Sequence, residues 1–216
     1  MRNPKNFGKP AVKNPWSIGD AQADWTWKGQ EGKPVEVEVF SPGAEVELFV
    51  NGVSVGRKKA GEETGYRADF ETVYEPGIIS AAAYDIDGSV VGRHELKTAD
   101  GNRRLLLEEE KPESVSGAES GSQESCLKYI DIRICDALKT AAWDEKWTLE
   151  ASVDGGCEII GFGSGDICPA YNYNSTVTET CHGRALLILK RREGARQSRV
   201  MVRAEGHDEK SIIVNW

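Results

Sequence analysis

The sequence predicts an all-β chain made of two consecutive immunoglobulin-like β-sandwich domains, and three observations carry that expectation. From Pro34 onward, short apolar runs alternate with turn residues. No long stretch keeps the helical period. The strand candidates also fall into two groups, each close to the roughly seven strands of an immunoglobulin-like sandwich. A chain of 216 residues accommodates two such domains of about 100 residues each.

In the first half, Val35, Val37 and Val39 alternate with Glu36 and Glu38, so one strand face is apolar and the other solvated. Val46, Leu48 and Val50 repeat the pattern. Asn51-Gly52 follows, a dipeptide that favours the two-residue hairpin turn because both residues tolerate positive φ, so 53–57 returns antiparallel. A strand over 67–74 is closed by Glu75-Pro76-Gly77, where proline presets φ and glycine accepts a positive φ. Strands over 78–84 and 90–96 flank the turn Asp85-Ile86-Asp87-Gly88.

The polar stretch 108–125 reads as a loop inside the second domain, because Leu105, Leu106 and Leu107 form a strand before it. The domain boundary therefore falls at 99–102. Further strands are expected over 127–135, 147–153, 157–161, 185–190, 198–204 and 210–214. The resulting division is a lead-in segment over 1–24, a first sandwich over 25–100 and a second over 101–216.

Composition narrows the function classes. Hydrophobic residues at 39% beside 29% charged describe a chain able to bury a core. A formal net charge of -8 argues against nucleic acid and anionic membrane as partners, which require clustered Lys and Arg. No apolar run reaches the roughly 18 residues of a membrane span, and the opening MRNPKNFGKP lacks the apolar core of a signal peptide. The five cysteines, Cys126, Cys135, Cys157, Cys168 and Cys181, are odd in number and unpatterned. They are expected to be buried free thiols, which favours a reducing, cytoplasmic setting. A zinc site using Cys181 and His182 lacks the spacing such sites need, so no metal is expected.

Candidate chemistry is sparse. The 85–88 turn starts like a calcium loop, but Val90 and Val91 stand where further oxygen ligands belong. Gly161-Phe162-Gly163-Ser164-Gly165 departs from both the dinucleotide fingerprint and the nucleophile elbow, and simpler reasons for its glycines are close backbone packing and positive φ. Glycosidases need two carboxylates flanking the scissile bond, yet nothing in the pattern brings any two of Glu108, Glu109, Glu110 and the other acids into one pocket. His94, His182 and His207 stand without the partners of a catalytic triad. Trp16, Trp25 and Trp27 form an aromatic cluster that suits core or interdomain packing and, as the alternative, a platform for carbohydrate; Trp143 and Trp147 raise the same choice.

The run WTWKGQEGKPVEVEVFSPGAEVELFVNGVSVGRK from Trp25, followed by YEPGIISAAAYDIDGSVV and ELKTAD, resembles the immunoglobulin-like domain that follows the catalytic barrel in family 2 glycoside hydrolases of the β-galactosidase type. EIIGFGSGD and TETCHGRALLILKR resemble the C-terminal domain of the same enzymes. The region 135–147 lacks the family's typical Asp-Gly turn, and 167–173 differs from its short connection. The resemblance implies a non-catalytic tail that packs on the barrel of a retaining, O-glycosidic-bond-hydrolysing parent. It supplies no catalytic residue and no cofactor, because the family's two glutamates belong to the barrel. Two other readings stand beside it: a carbohydrate-binding module using Trp16, Trp25 and Trp27, and a surface adhesion repeat.

Overall fold

A computed structural model describes residues 1–10, 21–110, 126–207 and 209–216. The chain divides into two compact units, Met1–Ala99 and Asp100–Trp216.

The first unit contains β1 (Pro34–Phe40), β2 (Glu45–Val50), β3 (Val53–Lys59), β4 (Arg67–Val73), β5 (Ile78–Tyr84) and β6 (Val90–Lys97). β1 pairs with β4 in a two-stranded antiparallel sheet, and the order β3-β2-β5-β6 forms a four-stranded one. The alternation seen in the sequence is the alternation of burial: Val46, Leu48 and Val50 of β2 face inward. They share one core with Val35 and Val37 of β1 and with Ala68 and Phe70 of β4, which come from the other sheet. Removing this apolar surface from water is the main stabilising term. At the end of β1, Phe40 falls on the outer face of the strand and is exposed.

Two turns legible in the sequence prove to be joined. Asn51 (φ 49) and Gly52 (φ 81) take the left-handed conformations that this hairpin requires. The Asn51 side chain then reaches the Glu75-Pro76-Gly77 turn, where Oδ1 accepts the Ile78 N–H at 2.8 Å and Nδ2 donates to the Pro76 carbonyl at 3.2 Å. Gly77 sits at φ 133, and a Cβ there would lie 2.0 Å from Asn51 Oδ1. Glycine is therefore needed for conformation and for room.

The segment 25–27 is woven into the same unit. Trp25, Trp27 and Tyr74 pack edge-to-face with ring centroids 4.9–5.5 Å apart. Their polar atoms are satisfied: Trp25 Nε1 donates to the Glu75 carbonyl at 3.0 Å, and the Trp27 N–H donates to the Tyr74 hydroxyl at 3.1 Å. The Thr98 hydroxyl donates to the Trp25 carbonyl at 2.6 Å, tying the strand exit after β6 to this segment. The described start of the lead-in also docks on the unit, where the Arg2 N–H donates to the Glu36 carbonyl at 3.1 Å.

The second unit contains β7 (Arg104–Glu109), β8 (Leu127–Cys135), β9 (Thr148–Val153), β10 (Cys157–Gly163), β11 (Val177–Glu179), β12 (Arg184–Arg191), β13 (Gln197–Ala204) and β14 (Lys210–Asn215). The sheets run β10-β12-β8-β7 and β11-β9-β13-β14. Ile130, Ile132 and Ile134 of one sheet and Leu149, Val200 and Val202 of the other are fully buried. β11 is the strand that sequence pattern does not announce, since three residues are too few for an alternation to register. Pairing with β9 defines it, Val177 opposite Glu150. Most of the Ser/Gly-rich stretch read as a loop lies outside the described residues.

The connection after β8 is organised by buried Asp136. Oδ1 accepts the N–H groups of Leu138 and Thr140, each at 2.8 Å, and Oδ2 accepts that of Asp100 at 3.1 Å. Burial pushes its pKa up, but these backbone bonds outweigh burial and hold the carboxyl below the usual Asp value. His182 (φ 51) and Gly183 (φ 68) turn the chain into β12. A Cβ on Gly183 would lie 2.2 Å from the Ala142 carbonyl oxygen, so this turn fits closely against the 142–145 segment.

Candidate functional site

A concavity in the second unit follows from strand register on the outer face of one sheet. In β12, Ala185, Leu187 and Leu189 are buried, so Arg184, Leu186 and Ile188 point the other way. Across the ladder Leu186 pairs with Asp131 of β8 and, on the other side, with Gly163 of β10; Ile188 pairs with Tyr129 and Gly161. The two glycines put no side chain on that outer face, so a trench forms with Leu186 and Ile188 as its floor. A groove of about 450 Å³ results.

Tyr173 forms one wall. Its carbonyl accepts the Phe162 N–H at 2.7 Å, and its ring lies so close over β10 that a Cβ on Gly163 would meet Cδ1 at 2.2 Å. Asp131, Glu110 and Arg184 supply the charged rim. Asp131 Oδ2 lies 2.8 Å from Arg133 Nε and 3.9 Å from Arg184 Nη2. Arg133 also pairs with Glu108, which accepts from Lys139 Nζ at 2.9 Å. That hydrogen bond, opposed by burial and reinforced by the charges of Arg133 and Lys139, holds the Glu108 carboxyl below its ordinary value.

The structure therefore brings two carboxylates, Glu110 and Asp131, to one groove, a convergence that sequence pattern did not predict. They are not arranged as a glycosidase pair. A general acid must stay protonated through burial or a like charge. Asp131 is instead engaged by the guanidinium groups of Arg133 and Arg184, and Glu110 is exposed to water.

The tryptophans proposed for sugar contact are placed otherwise. Trp25 is 0% and Trp27 4% exposed, so neither offers a ring face to a carbohydrate. They are core residues, because packing on Tyr74 buries more apolar area than a surface platform would. Trp16 lies outside the described residues. Trp147 stacks on His207 with centroids 3.6 Å apart, and Trp143 lies 5.7 Å beneath the Arg184 guanidinium.

The other motifs resolve into local structure. The 85–88 turn is closed by its own aspartates, with Asp87 Oδ1 accepting the Ser89 N–H at 2.9 Å. Gly161, Gly163 and Gly165 are absent from the positive-φ residues, so room rather than backbone conformation explains Gly163. Among the described residues no three His, Cys, Asp or Glu side chains gather as a metal site. All five thiols are free, but Cys126 and Cys168 are exposed rather than buried. Burial pushes the Cys157 and Cys181 thiols up. Sequence reasoning missed Tyr173, Asp131, Glu110 and Arg184 as neighbours. The alternation Arg184-x-Leu186-x-Ile188 and the spacing Gly161-x-Gly163 were the available signals.

By fold, both units are antiparallel β-sandwiches of the immunoglobulin-like class. Residues 116–213 match the family described as glycoside hydrolase family 2 C-terminal domain 5, and residues 32–92 match a domain of unknown function, DUF4982. A glycosyl hydrolase family 2 member from Bacteroides cellulosilyticus superposes with a TM-score of 0.83 at 23% identity, over 95% of this chain and 27% of that one. A β-glycosidase from Bacteroides vulgatus gives a TM-score of 0.75 at 25% identity, over 90% of this chain and 24% of that one. A Formosa agariphila protein named "Putative beta-glucuronidase" is 36% identical over 77 residues, 35% of this chain and 7% of its own length. The chain thus spans about a quarter of the solved structures it matches and less of the curated relative. Together the two matches and the solved structures fit a C-terminal fragment of a family 2 glycoside hydrolase. None of these three relatives is named a β-galactosidase.

Proposed function

We propose that this chain is the part of a family 2 β-glycosidase that packs on and supports the catalytic barrel, while the hydrolysis of O-glycosidic bonds resides in the barrel. The observation that carries the reading is the family match over residues 116–213. In the described groove, moreover, the two carboxylates are not set up as an acid and a nucleophile. The β-galactosidase type suggested by sequence motifs gives way to a β-glucuronide-cleaving parent, a choice supported by the name of the Formosa agariphila relative.

The test is to express the full reading frame that contains this chain, beside the 216-residue chain alone, and assay both on aryl β-glucuronide and aryl β-galactoside. The reading expects turnover of the glucuronide by the full protein and none by the chain. Normal turnover by the isolated chain would overturn the non-catalytic role, and preference for the galactoside would overturn the specificity.

A further inference from the structure

We propose that the trench over β10, β12 and β8 is a binding site for a neutral saccharide, a role beyond packing on a barrel. Three properties of the groove point to this chemistry. Its floor is apolar, Leu186 and Ile188, and its wall is the Tyr173 ring, half exposed at 50%. Such surfaces receive the C–H face of a pyranose as they do other apolar faces. The rim carries carboxylates at Glu110 and Asp131 and the guanidinium of Arg184, whose side chain is 51% exposed. Carboxylates accept from pairs of hydroxyls, and guanidinium donates to them. The volume of about 450 Å³ lies in the range of small-ligand sites.

The charges choose among ligands. An acyl chain would take Glu110 and Asp131 out of water without supplying them a donor, which costs free energy. A uronic acid or phosphate would meet two carboxylates, one of which has no ion-pair partner among the described residues, since Glu110 joins no salt bridge there. A neutral sugar satisfies floor and rim together. The site is built by register: glycine at the two β10 positions opposite Leu186 and Ile188 opens the trench, and any side chain at Gly163 would displace Tyr173.

The experiment is native affinity electrophoresis of the whole chain in gels containing hydroxyethylcellulose, galactomannan, arabinoxylan or laminarin, with polygalacturonate as the acidic counterpart. Retardation in at least one neutral gel, at least fivefold weaker in polygalacturonate, is the expected result. Tyr173→Ala and Glu110→Gln should each weaken that retardation at least fivefold while keeping the urea unfolding midpoint of the parent chain. Tyr173 and Glu110 are exposed enough for both variants to fold, and Glu110→Gln keeps the shape of the rim. No retardation in any neutral gel overturns the proposal. So does retardation unchanged in both folded variants, or retardation in polygalacturonate equal to or stronger than in the neutral gels.

Discussion

The interlock between Asn51 and Gly77 allows a quantitative test of how this first unit is held. Asn51→Gly keeps the left-handed backbone but removes two side-chain hydrogen bonds, to the Ile78 N–H and the Pro76 carbonyl. At about 1 kcal/mol each for such bonds, the cost is roughly 1–2 kcal/mol. Gly77→Ala adds the strain of a non-glycine residue at φ 133, about 1–3 kcal/mol. Its Cβ, 2.0 Å from Asn51 Oδ1, also forces the same side chain away and forfeits the same bonds. The single change should therefore cost about 2–5 kcal/mol. In the double variant those bonds are lost once, so the effects fall short of additivity by roughly 1–2 kcal/mol. Equilibrium urea unfolding, followed by circular dichroism and tryptophan fluorescence, measures this directly. With an m-value of about 1.5 kcal/mol/M, Gly77→Ala should lower the midpoint by about 2 M. Additivity of the two changes to within about 0.5 kcal/mol would refute the interlock.

Three further outcomes follow from the same geometry. Asp136→Ala should destabilise the second unit by about 3 kcal/mol, because three backbone N–H groups lose a charged acceptor. Since the folded carboxyl titrates below its ordinary value, this stabilisation is complete above about pH 4 and disappears as the pH falls through the folded value. The gap between wild-type and Asp136→Ala stability should therefore narrow on acidification, as thermal unfolding at several pH values would show. Gly183→Ala should lower stability by roughly 2–4 kcal/mol, through the left-handed φ of 68 and the contact with the Ala142 carbonyl; an unchanged melting temperature would contradict this. Trp25→Phe should cost about 2–3 kcal/mol in urea unfolding, since the smaller ring leaves space beside Trp27 and Tyr74 and the Glu75 carbonyl loses its donor.

Much of the fold was legible because burial in a half-covered sheet is periodic. Val35, Val37, Val46, Leu48 and Val50 reveal in sequence the face they bury, and Asn51-Gly52 reveals its turn, because both signals are properties of adjacent residues. β11 was not legible because its existence depends on β9, its partner. The candidate site was hidden for a related reason. Trp25 and Trp27 attract notice as sugar platforms, but whether a ring is covered depends on Tyr74, nearly fifty residues away. Glu110, Asp131, Gly163, Tyr173 and Arg184 come from separate elements and share no local pattern.

The amino-acid sequence alone determined the strand periodicity, the two-sandwich class and the motifs that mark the family, because each is written in the chemistry of neighbouring side chains. Only the tertiary structure decided which aromatic rings are covered, which glycine must be glycine for want of room, and which charges line a common groove. Those depend on strand register and long-range packing, where a shift of one residue exchanges the inner and outer faces of a sheet. The double sandwich was thus readable from the chain, whereas the trench on its outer face exists only once β8, β10 and β12 are aligned.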